Sequence, residues 1–538
     1  MAKKIFHFLV LGLLCLLAGR LFYLTIILGG KYQTMAEENR LVMEKISAPR
    51  GIIFDRDREP LAVNLPQYFL GEKAISRDEY LKNKANNQEA ILVYRRYYPF
   101  GASFTHLLGD LGPVNEEELR EDNGCGAYSP DDWKGRGGVE EEYECWLRGE
   151  AGKRLIETDI QGKNLREIGR QEAKPGKDLI LTISSKLQQK VASLLGEKQG
   201  AVVVTKPQNG EVLALASSPS FDPNLFTYKR DEGKIEALLS DRRNPFLNRV
   251  ISARFPPGSV FKLVTAIAAL EEGVIDGQTR IEDTGVIEIG DFRYANWYFL
   301  QYGKKEGLVD LVTAIKRSND VFFYKVGEKL GAEKLSFWAK NFNLSGSVGI
   351  DLPAEIAGLV PSPQWKKEVK GEDWFLGNTY HFAIGQGDLA LTPLQVNMMT
   401  NVFANGGNFC VPFVVKEKEG EPAVKEKCSS LSLKKENLDL VVEGMREACS
   451  PALTADGVGG TAYPFFDFKV RGEENKVACK TGTAEVGEES AHAWFTAFAP
   501  IDNPEISVTV FLEEGGEGSR EAAPIAREIL EEYFNKIK

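Results

Sequence analysis

Residues 257–270 read Pro-Gly-Ser-Val-Phe-Lys-Leu-Val-Thr-Ala-Ile-Ala-Ala-Leu, and the parsing of the chain starts from them. Pro257-Gly258 predicts a turn, and Phe261–Leu270 has the apolar spacing of a buried helix. The turn delivers Ser259 to a helix N-terminus. A helix puts positions i and i+3 on one face, so the Lys262 amine can reach the Ser259 hydroxyl. The unpaired N–H groups at such an N-terminus suit a developing oxyanion. Alone, S-x-x-K is a weak signal, because on the order of two chance occurrences are expected at ordinary Ser and Lys usage. A second one stands at Ser432–Lys435 without a Pro-Gly turn, and Ser259 by itself reads equally well as an N-cap.

Two further motifs follow in order. Ser318-Asn319-Asp320 lies between a helical run, Leu308–Ile315, and the aromatic run Val321–Tyr324. It can present two polar side chains to a cleft, or simply cap a helix. Lys480-Thr481-Gly482-Thr483 sits in a strand-like run, 476–483. Period-2 alternation puts Lys480 and Gly482 on one face and Thr481 and Thr483 on the other. The glycine would admit a substrate backbone, and the Thr483 N–H would complete an oxyanion hole. Two more strands, 492–499 and 506–513, and an amphipathic helix, 521–536, close the chain. Upstream, 178–183 reads as a strand, Ser185–Leu195 as a helix, and 201–206 with 211–217 as a hairpin around Pro207–Gly210. This is an α/β pattern, and the three motifs in this order and context are far from chance.

Residues 31–173 mix short strand-like runs (51–54, 90–94, 153–158) with the charged stretch 116–121 and the polar, Gly-rich loop stretch 122–138; Pro-Gly in 173–177 marks a boundary. At the N-terminus Lys3-Lys4 precedes an apolar stretch from Ile5 to Leu28, interrupted by His7 and Arg20. About 20 apolar residues span a bilayer. We read an uncleaved single-pass anchor with a cytoplasmic N-terminus by the positive-inside rule. A cleaved signal peptide is the rival reading, but no A-x-A site follows.

The 538 residues carry 66 Lys+Arg against 77 Asp+Glu, a net charge of −11, with 43% hydrophobic and 27% charged residues. These are globular values, and the acidic balance disfavours a nucleic-acid groove. Seven scattered cysteines without a CxxC pair and only four histidines give a zinc cluster little to be built from. Cys410 and Cys428 lie symmetrically about Glu419 in a possible hairpin, where an opposed pair could form a disulfide. Cys479 is expected to pack inertly on the buried face, and His492 to be structural.

The three motifs and much of the remaining chain resemble the class B penicillin-binding proteins. Ala48–Arg56 with Leu61-Ala62 and Asn64 is similar to that family's R-G-x-I-x-D-R signature. Tyr98–Gly101, His106–Gly109 and Gly138–Gly149 resemble its pedestal signatures, and Ala201–Val204, Gly210-Glu211 and Ser217–Asn224 the opening of its catalytic domain. Asp320 at the third place of the second motif, Asn296-Trp297, Phe322–Tyr324, Trp365-Lys366, Ile384–Gly387, Thr392–Gln395 and Ala491–Phe495 resemble the elongation branch, penicillin-binding protein 2. The resemblance implies a single N-terminal transmembrane helix and cytoplasmic stub (1–30), an α+β pedestal or dimerisation-type domain (31–173), and an α/β penicillin-recognising serine transpeptidase domain (174–538), a sheet flanked by helices. Some members of that branch hold a metal through Asp, His and Cys between the first two motifs. No His or Cys lies between Ser259 and Ser318 here, so no metal site is carried over.

What the resemblance implies for chemistry is a peptidoglycan D,D-transpeptidase that needs no cofactor. Ser259 would attack the penultimate D-Ala carbonyl of a stem peptide. Neutral Lys262, its pKa lowered by nearby Lys480, would take the proton; Ser318 would relay it, with Asp320 orienting. Lys480, Thr481 and Thr483, along the strand that Gly482 opens, would bind the terminal carboxylate. The Ser259 and Thr483 amides would form the oxyanion hole. Stem peptides, β-lactams and a SEDS-type glycan polymerase are the implied partners, and the bacterial cytoplasmic membrane the implied location, with the catalytic domain outside. Alternatives are a septal cell-division transpeptidase, a D,D-carboxypeptidase, β-lactamase or β-lactam sensor on the same fold, and an inactive scaffold.

Overall fold

The apolar N-terminal segment forms a helix, α1 (Ala2–Phe22), that continues through a π-helical turn at Tyr23–Ile27. Lys3–Ile27 is long and apolar enough to cross a bilayer. The computed structural model describes every residue except 39, 72, 87–89, 121–123, 160–163, 229–230, 419–426, 454–456, 488–489 and 537–538. The chain divides into two units. The smaller comprises Met1–Gly51, Asn64–Arg95 and Arg148–Gly176. It contains an antiparallel sheet in which β1 (Leu41–Ile46) and β3 (Asn164–Gln171) flank β2 (Gly152–Thr158).

The larger unit comprises Ile52–Val63, Arg96–Leu147 and Lys177–Lys538. Parts of the 31–173 segment therefore group with the C-terminal body, and buried polar contacts show why. Asp55 accepts hydrogen bonds from the amides of Asp57, Glu59 and Ser185. Asn224 bonds both backbone groups of Tyr98 at 2.9 Å. Arg96 and Glu140 form an ion pair that is almost wholly buried.

The core of this unit is laid down by α2 (Ser185–Leu195), the hairpin β4 (Gly200–Thr205) and β5 (Val212–Ser218), α3 (Lys262–Glu271), α4 (Leu311–Arg317), α5 (Asp320–Leu330), α6 (Pro393–Ala404), α7 (Lys435–Ala448), three closing strands β6 (Ala478–Val486), β7 (Ser490–Ala499) and β8 (Ile506–Leu512), and α8 (Ala523–Lys536). The strands form one antiparallel sheet in the order β5-β4-β8-β7-β6. Alternation sends Val202 and Val204 to one face, with Leu187, Val191 and Ile529, and Ala201 and Val203 to the other, with Met398 and Met399. Both faces are covered, so the strands read as continuous apolar runs.

Every residue of α6 is buried, and its polar positions bond to the sheet. Thr205 Oγ1 donates to Asn397 Oδ1 at 2.6 Å, Asn397 Nδ2 reaches Thr509 Oγ1 at 3.2 Å, and the Thr400 and Thr496 hydroxyls meet at 2.7 Å. A buried polar set with its bonds made fixes register where apolar packing alone would let a helix slide. β6 ends the sheet and leaves an open edge.

Three expectations are corrected. Residues 308–315 are not one helix: Gly307–Asp310 is a strand paired with Arg280–Asp283, and α4 starts only after Asp310 caps it through the Thr313 amide. An N-cap aspartate ends the extended segment at that residue. Within the polar stretch 122–138, Trp133–Arg136 forms a strand with Asp110–Pro113, supported by the Arg136–Glu118 ion pair. Cys479 is buried as expected but not inert, because it is disulfide-bonded to Cys449 where the C-terminus of α7 meets β6.

Cys410 and Cys428 stand directly opposite in antiparallel strands and are bonded, whereas the turn around Glu419 lies outside the described residues. Cys125–Cys145 is the third bridge, and Cys15 on α1 is a free thiol. Thiol titration of the denatured, unreduced full-length protein should therefore find one reactive thiol per chain; three or more would remove at least one of these bridges.

Candidate active site

Gly258–Phe261 forms a 3₁₀ turn that runs into α3, leaving Ser259 half-buried and Lys262 fully buried at the first helical position. Two glycines allow the turn to sit where it does. Gly258 has φ +57°, and a Cβ there would lie 2.6 Å from the Thr483 carbonyl oxygen. Gly385, at φ +80°, faces the Gly258 carbonyl so closely that a side chain has no room. Only glycine meets both demands. The contact places the open edge of β6 against the Ser259 turn.

Ser318 ends α4 in the left-handed conformation, φ 54° and ψ 39°, so its side chain and carbonyl turn inward before α5 begins at Asp320. A non-glycine residue held there is strained, and such strain persists where the surroundings over-determine it. Lys262 Nζ donates to the Ser318 carbonyl at 2.8 Å, to Ser318 Oγ at 3.3 Å and to Asp320 Oδ1 at 2.6 Å. Lys480 Nζ donates to Ser318 Oγ at 2.8 Å and to the Thr481 carbonyl at 2.9 Å. The structure thus brings Lys262, Ser318, Asp320 and Lys480 into one hydrogen-bonded cluster. The three donors of Lys262 are all engaged within it, leaving none for Ser259 in this state.

Thr481 donates to Thr461 Oγ1 at 2.9 Å, and Thr483 Oγ1 accepts from the Gly518 amide at 3.4 Å. A Cβ on Gly482 would press on Trp494, Val260 and the Pro257 carbonyl, at 2.9, 3.0 and 3.2 Å. The glycine is therefore required for packing β6 against the Ser259 turn. His492 is structural: its Nδ1 accepts from the Glu514 amide at 3.0 Å, and its ring packs between Phe255 and Phe511.

Burial lowers the pKa of both lysines, more severely for Lys480, where the Lys262 charge adds to it. At Lys262 burial is the leading cause, opposed by Asp320 and Glu306. The expected source of the Lys262 shift is thus revised from like-charge repulsion to desolvation.

Sequence reading did not assign a role to the residues that hold the second motif in place. Asn296 Oδ1 accepts from the Asp320 amide at 3.2 Å while its Nδ2 donates to Asp283 at 2.9 Å. Asn319 Nδ2 bridges Asp283 and Glu306 at 3.1 and 2.7 Å. Glu306 is ion-paired with buried Arg317 at 2.7 Å. The Trp297 amide donates to Asp320 Oδ2 at 2.9 Å, orienting the carboxylate toward Lys262. Asp283 and Glu306 carry no periodic signal that ties them to the second motif; only Asn296-Trp297 stood out. Among the described residues, no group of three or more His, Cys, Asp and Glu side chains is arranged to hold a metal.

The model of the penicillin binding protein transpeptidase domain matches residues 200–531, and that of the penicillin-binding protein dimerisation domain matches 79–181. The peptidoglycan D,D-transpeptidase MrdA of Acinetobacter baumannii is 30% identical over 99% of this chain and 87% of its own length. That of Haemophilus influenzae is 31% identical over 98% and 91%. Among solved structures, Pseudomonas aeruginosa PBP2 in complex with WCK 5153 has a TM-score of 0.76 at 32% identity, covering 92% of this chain and 97% of that one. The Helicobacter pylori PBP2–MreC complex gives 0.77 at 28%, covering 93% and 99%. A peptidoglycan synthase complex that coordinates polymerization and crosslinking gives 0.79 at 29%, covering 99% and 98%.

Asp320→Asn removes the charge that opposes the desolvation of Lys262, so the Lys262 pKa falls further. If Lys262 must be neutral to accept the Ser259 proton, the acid limb of the pH–rate profile for acylation of Ser259 by a β-lactam moves to lower pH. The maximal rate falls about ten- to a hundredfold with loss of the charge-assisted bond. An acid limb unmoved, or moved to higher pH, would show that Asp320 does not set the ionisation of the base. Asn296→Ala leaves the Asp320 amide without its acceptor and should slow the same acylation about tenfold, a cost on the order of 1–3 kcal/mol.

Proposed function

This chain belongs to the penicillin-binding protein transpeptidase family, and we propose that its Ser259, Lys262, Ser318 and Lys480 carry out D,D-transpeptidation of peptidoglycan stem peptides in cell-wall elongation. The observation that supports this most directly is the serine hydroxyl of residue 318 held between two buried lysines beside the Ser259 turn.

Burial makes release of one proton from the lysine pair less costly than from a solvated lysine. Neutral Lys262 takes the proton of Ser259 as Oγ attacks the carbonyl of the penultimate D-Ala. The Ser259 and Thr483 amides hold the oxyanion, a term of about 3–4 kcal/mol per donor. Ser318 Oγ accepts from both lysines, which leaves its own proton to donate into the cleft. It therefore passes a proton to the departing D-Ala amine as the C–N bond breaks and receives one from protonated Lys262. Lys480, with Thr481 and Thr483, holds the terminal carboxylate, and that negative charge favours the ammonium form of Lys480 which burial alone disfavours, leaving Lys262 as the lysine to be neutral. An amine from a neighbouring strand then attacks the Ser259 ester, forms the cross-link and restores the serine hydroxyl. A β-lactam supplies an acyl group by the same first step.

The working division is an anchor in 1–30, a pedestal in 31–173 and a transpeptidase domain in 174–538. Lys3 and Lys4 at the N-terminal end of the spanning helix favour a cytoplasmic N-terminus and an external catalytic domain. The likeness to PBP2 bound to MreC and to a synthase complex that coordinates polymerization and crosslinking supports two partner classes: an MreC-like scaffold and a membrane glycan polymerase of the SEDS type.

Mass spectrometry of the detergent-solubilised full-length protein after incubation with penicillin should find one penicilloyl group on Ser259 that Ser259→Ala abolishes. Absence of an adduct would favour a scaffold, and clearance within seconds a hydrolase.

A further inference from the structure

Lys480 reaches the cluster from β6, the last strand of the sheet, which has only β7 as a ladder partner within it. Its ammonium group meets that of Lys262 at one hydroxyl, both out of water. Repulsion and desolvation are both relieved if β6 draws back from α3 and admits water. The ladder to β7 lies on the far edge of β6 and leaves the open side unheld. The contacts of Gly482 and Thr483 with the Ser259 turn are close packing, which resists approach more than withdrawal.

The restraint comes from Cys479. It directly precedes Lys480, is fully buried, and is bonded to Cys449 at the C-terminal cap of α7. α7 is in turn seated on α4, the helix that ends in Ser318. A Cβ on Gly444 would lie 2.7 Å from Ile315 Cβ, so the glycine lets the two helices touch, and Lys316 Nζ of α4 donates to Glu447 of α7 at 3.0 Å. A continuous path therefore runs from Lys480 through Cys479, Cys449, α7 and α4 to Ser318. It closes on the 2.8 Å hydrogen bond from Lys480 Nζ to Ser318 Oγ.

The chain beyond Cys449 makes the same connection with weaker ties. The Ala462 amide donates to the Ala448 carbonyl at 2.9 Å, and the Thr461 amide to the Lys316 carbonyl at 3.3 Å. Arg317 Nη1 donates to the Gly459 carbonyl at 2.9 Å, and Thr461 Oγ1 accepts from Thr481 at 2.9 Å. Cys410–Cys428 offers a contrast. Its two strands already pair residue by residue, and neither cysteine adjoins a residue of the cluster.

We propose that the Cys449–Cys479 disulfide is a positioning element of the active site, which fixes the separation of Lys480 from Ser318 and Lys262 by fastening β6 to the helix pair α7 and α4. The two cysteines act through Lys480 and do not touch the reacting atoms. An external catalytic domain is the setting in which such a bond persists. This inference rests on the transpeptidase reading above and adds a residue pair to it.

The test uses the full-length protein in detergent and two readouts, the rate constant of Ser259 acylation at saturating penicillin and its pH profile. Cys449→Ala/Cys479→Ala should lower the rate constant about tenfold, since misplacing a catalytic group by about 1 Å costs up to about a hundredfold. The acid limb should move to higher pH. Water entering between β6 and α3 weakens the burial that holds Lys262 down, and Lys480 stands further off. Asp320 and Glu306, which raise Lys262, stay in place. The shift is opposite to that expected for Asp320→Asn. Cys410→Ala/Cys428→Ala should change neither readout. Rate constants are taken from the fraction that forms the adduct, so loss of folded protein does not enter them. Cys449→Ala alone, which leaves β6 unaltered, should reproduce both effects. The proposal is overturned if the double variant acylates at the wild-type rate, or if it is slowed with an unmoved acid limb, the result of a bridge that only steadies the fold. It is overturned as well if the Cys410→Ala/Cys428→Ala variant shows the same changes. A wild type that forms no adduct sinks the transpeptidase reading itself, and this inference with it.

Discussion

Everything at the site depends on burying two lysines against one serine. An ammonium group is costly to take out of water, and two within reach of the same hydroxyl are costlier. Lys262 is stabilised by three acceptors and the Asp320 charge; Lys480 has Ser318 Oγ and the Thr481 carbonyl, and its ionisation is correspondingly less secure. That asymmetry favours proton loss at Lys480 while its site is empty, and in the proposed mechanism a bound carboxylate there shifts the loss to Lys262. Desolvation supplies the drive for one of the pair to lose a proton, while Asp320 opposes that loss at Lys262. In the mechanism proposed above, Lys262 is therefore a poised base rather than a simply neutral one.

Holding such a cluster requires the Ser318 backbone to stay in a conformation it would not choose. The left-handed φ of Ser318 is kept by what surrounds it. Its amide bonds the Ile315 carbonyl, its carbonyl accepts from Lys262, and the next two residues are tied to Asn296, Asp283, Glu306 and the Trp297 amide. The strain and the polar set belong together. Removing one tie does not merely delete a bond; it lets the loop relax and takes the Ser318 hydroxyl away from one lysine or the other.

The parts of this design legible in the sequence were those with local rules. Pro-Gly before an apolar helical run placed Ser259 and Lys262. Alternation put Lys480 and Gly482 opposite Thr481 and Thr483, and the symmetric positions of Cys410 and Cys428 came out as a directly opposed pair. What escaped was either tertiary or a matter of which force dominates. Glu306 and Asp283 show no periodic relation to each other or to the second motif, and only the fold brings Asn319 between them. Cys449 and Cys479 lie on a helix end and a strand with no sequence relation. Gly482 was read as room for a substrate backbone, whereas the neighbours that require the glycine, Trp494 and the Pro257–Val260 turn, were not legible. Like-charge repulsion between the lysines could be anticipated; that desolvation leads it at Lys262 follows from burial.

The Gly258 and Gly385 contacts link these themes. With no side chain at either position, the nucleophile turn lies directly against the edge of β6, so the Ser259 amide and the edge groups of Thr483 are fixed by one backbone-to-backbone contact. An oxyanion hole assembled this way needs no reorganisation when charge develops, which is where such donors act most strongly. The same contact sets the distance between the Ser259 turn and β6. On the roles proposed for Ser259, Lys480 and Thr483, the register of a bound donor is then set by the same packing that builds the site.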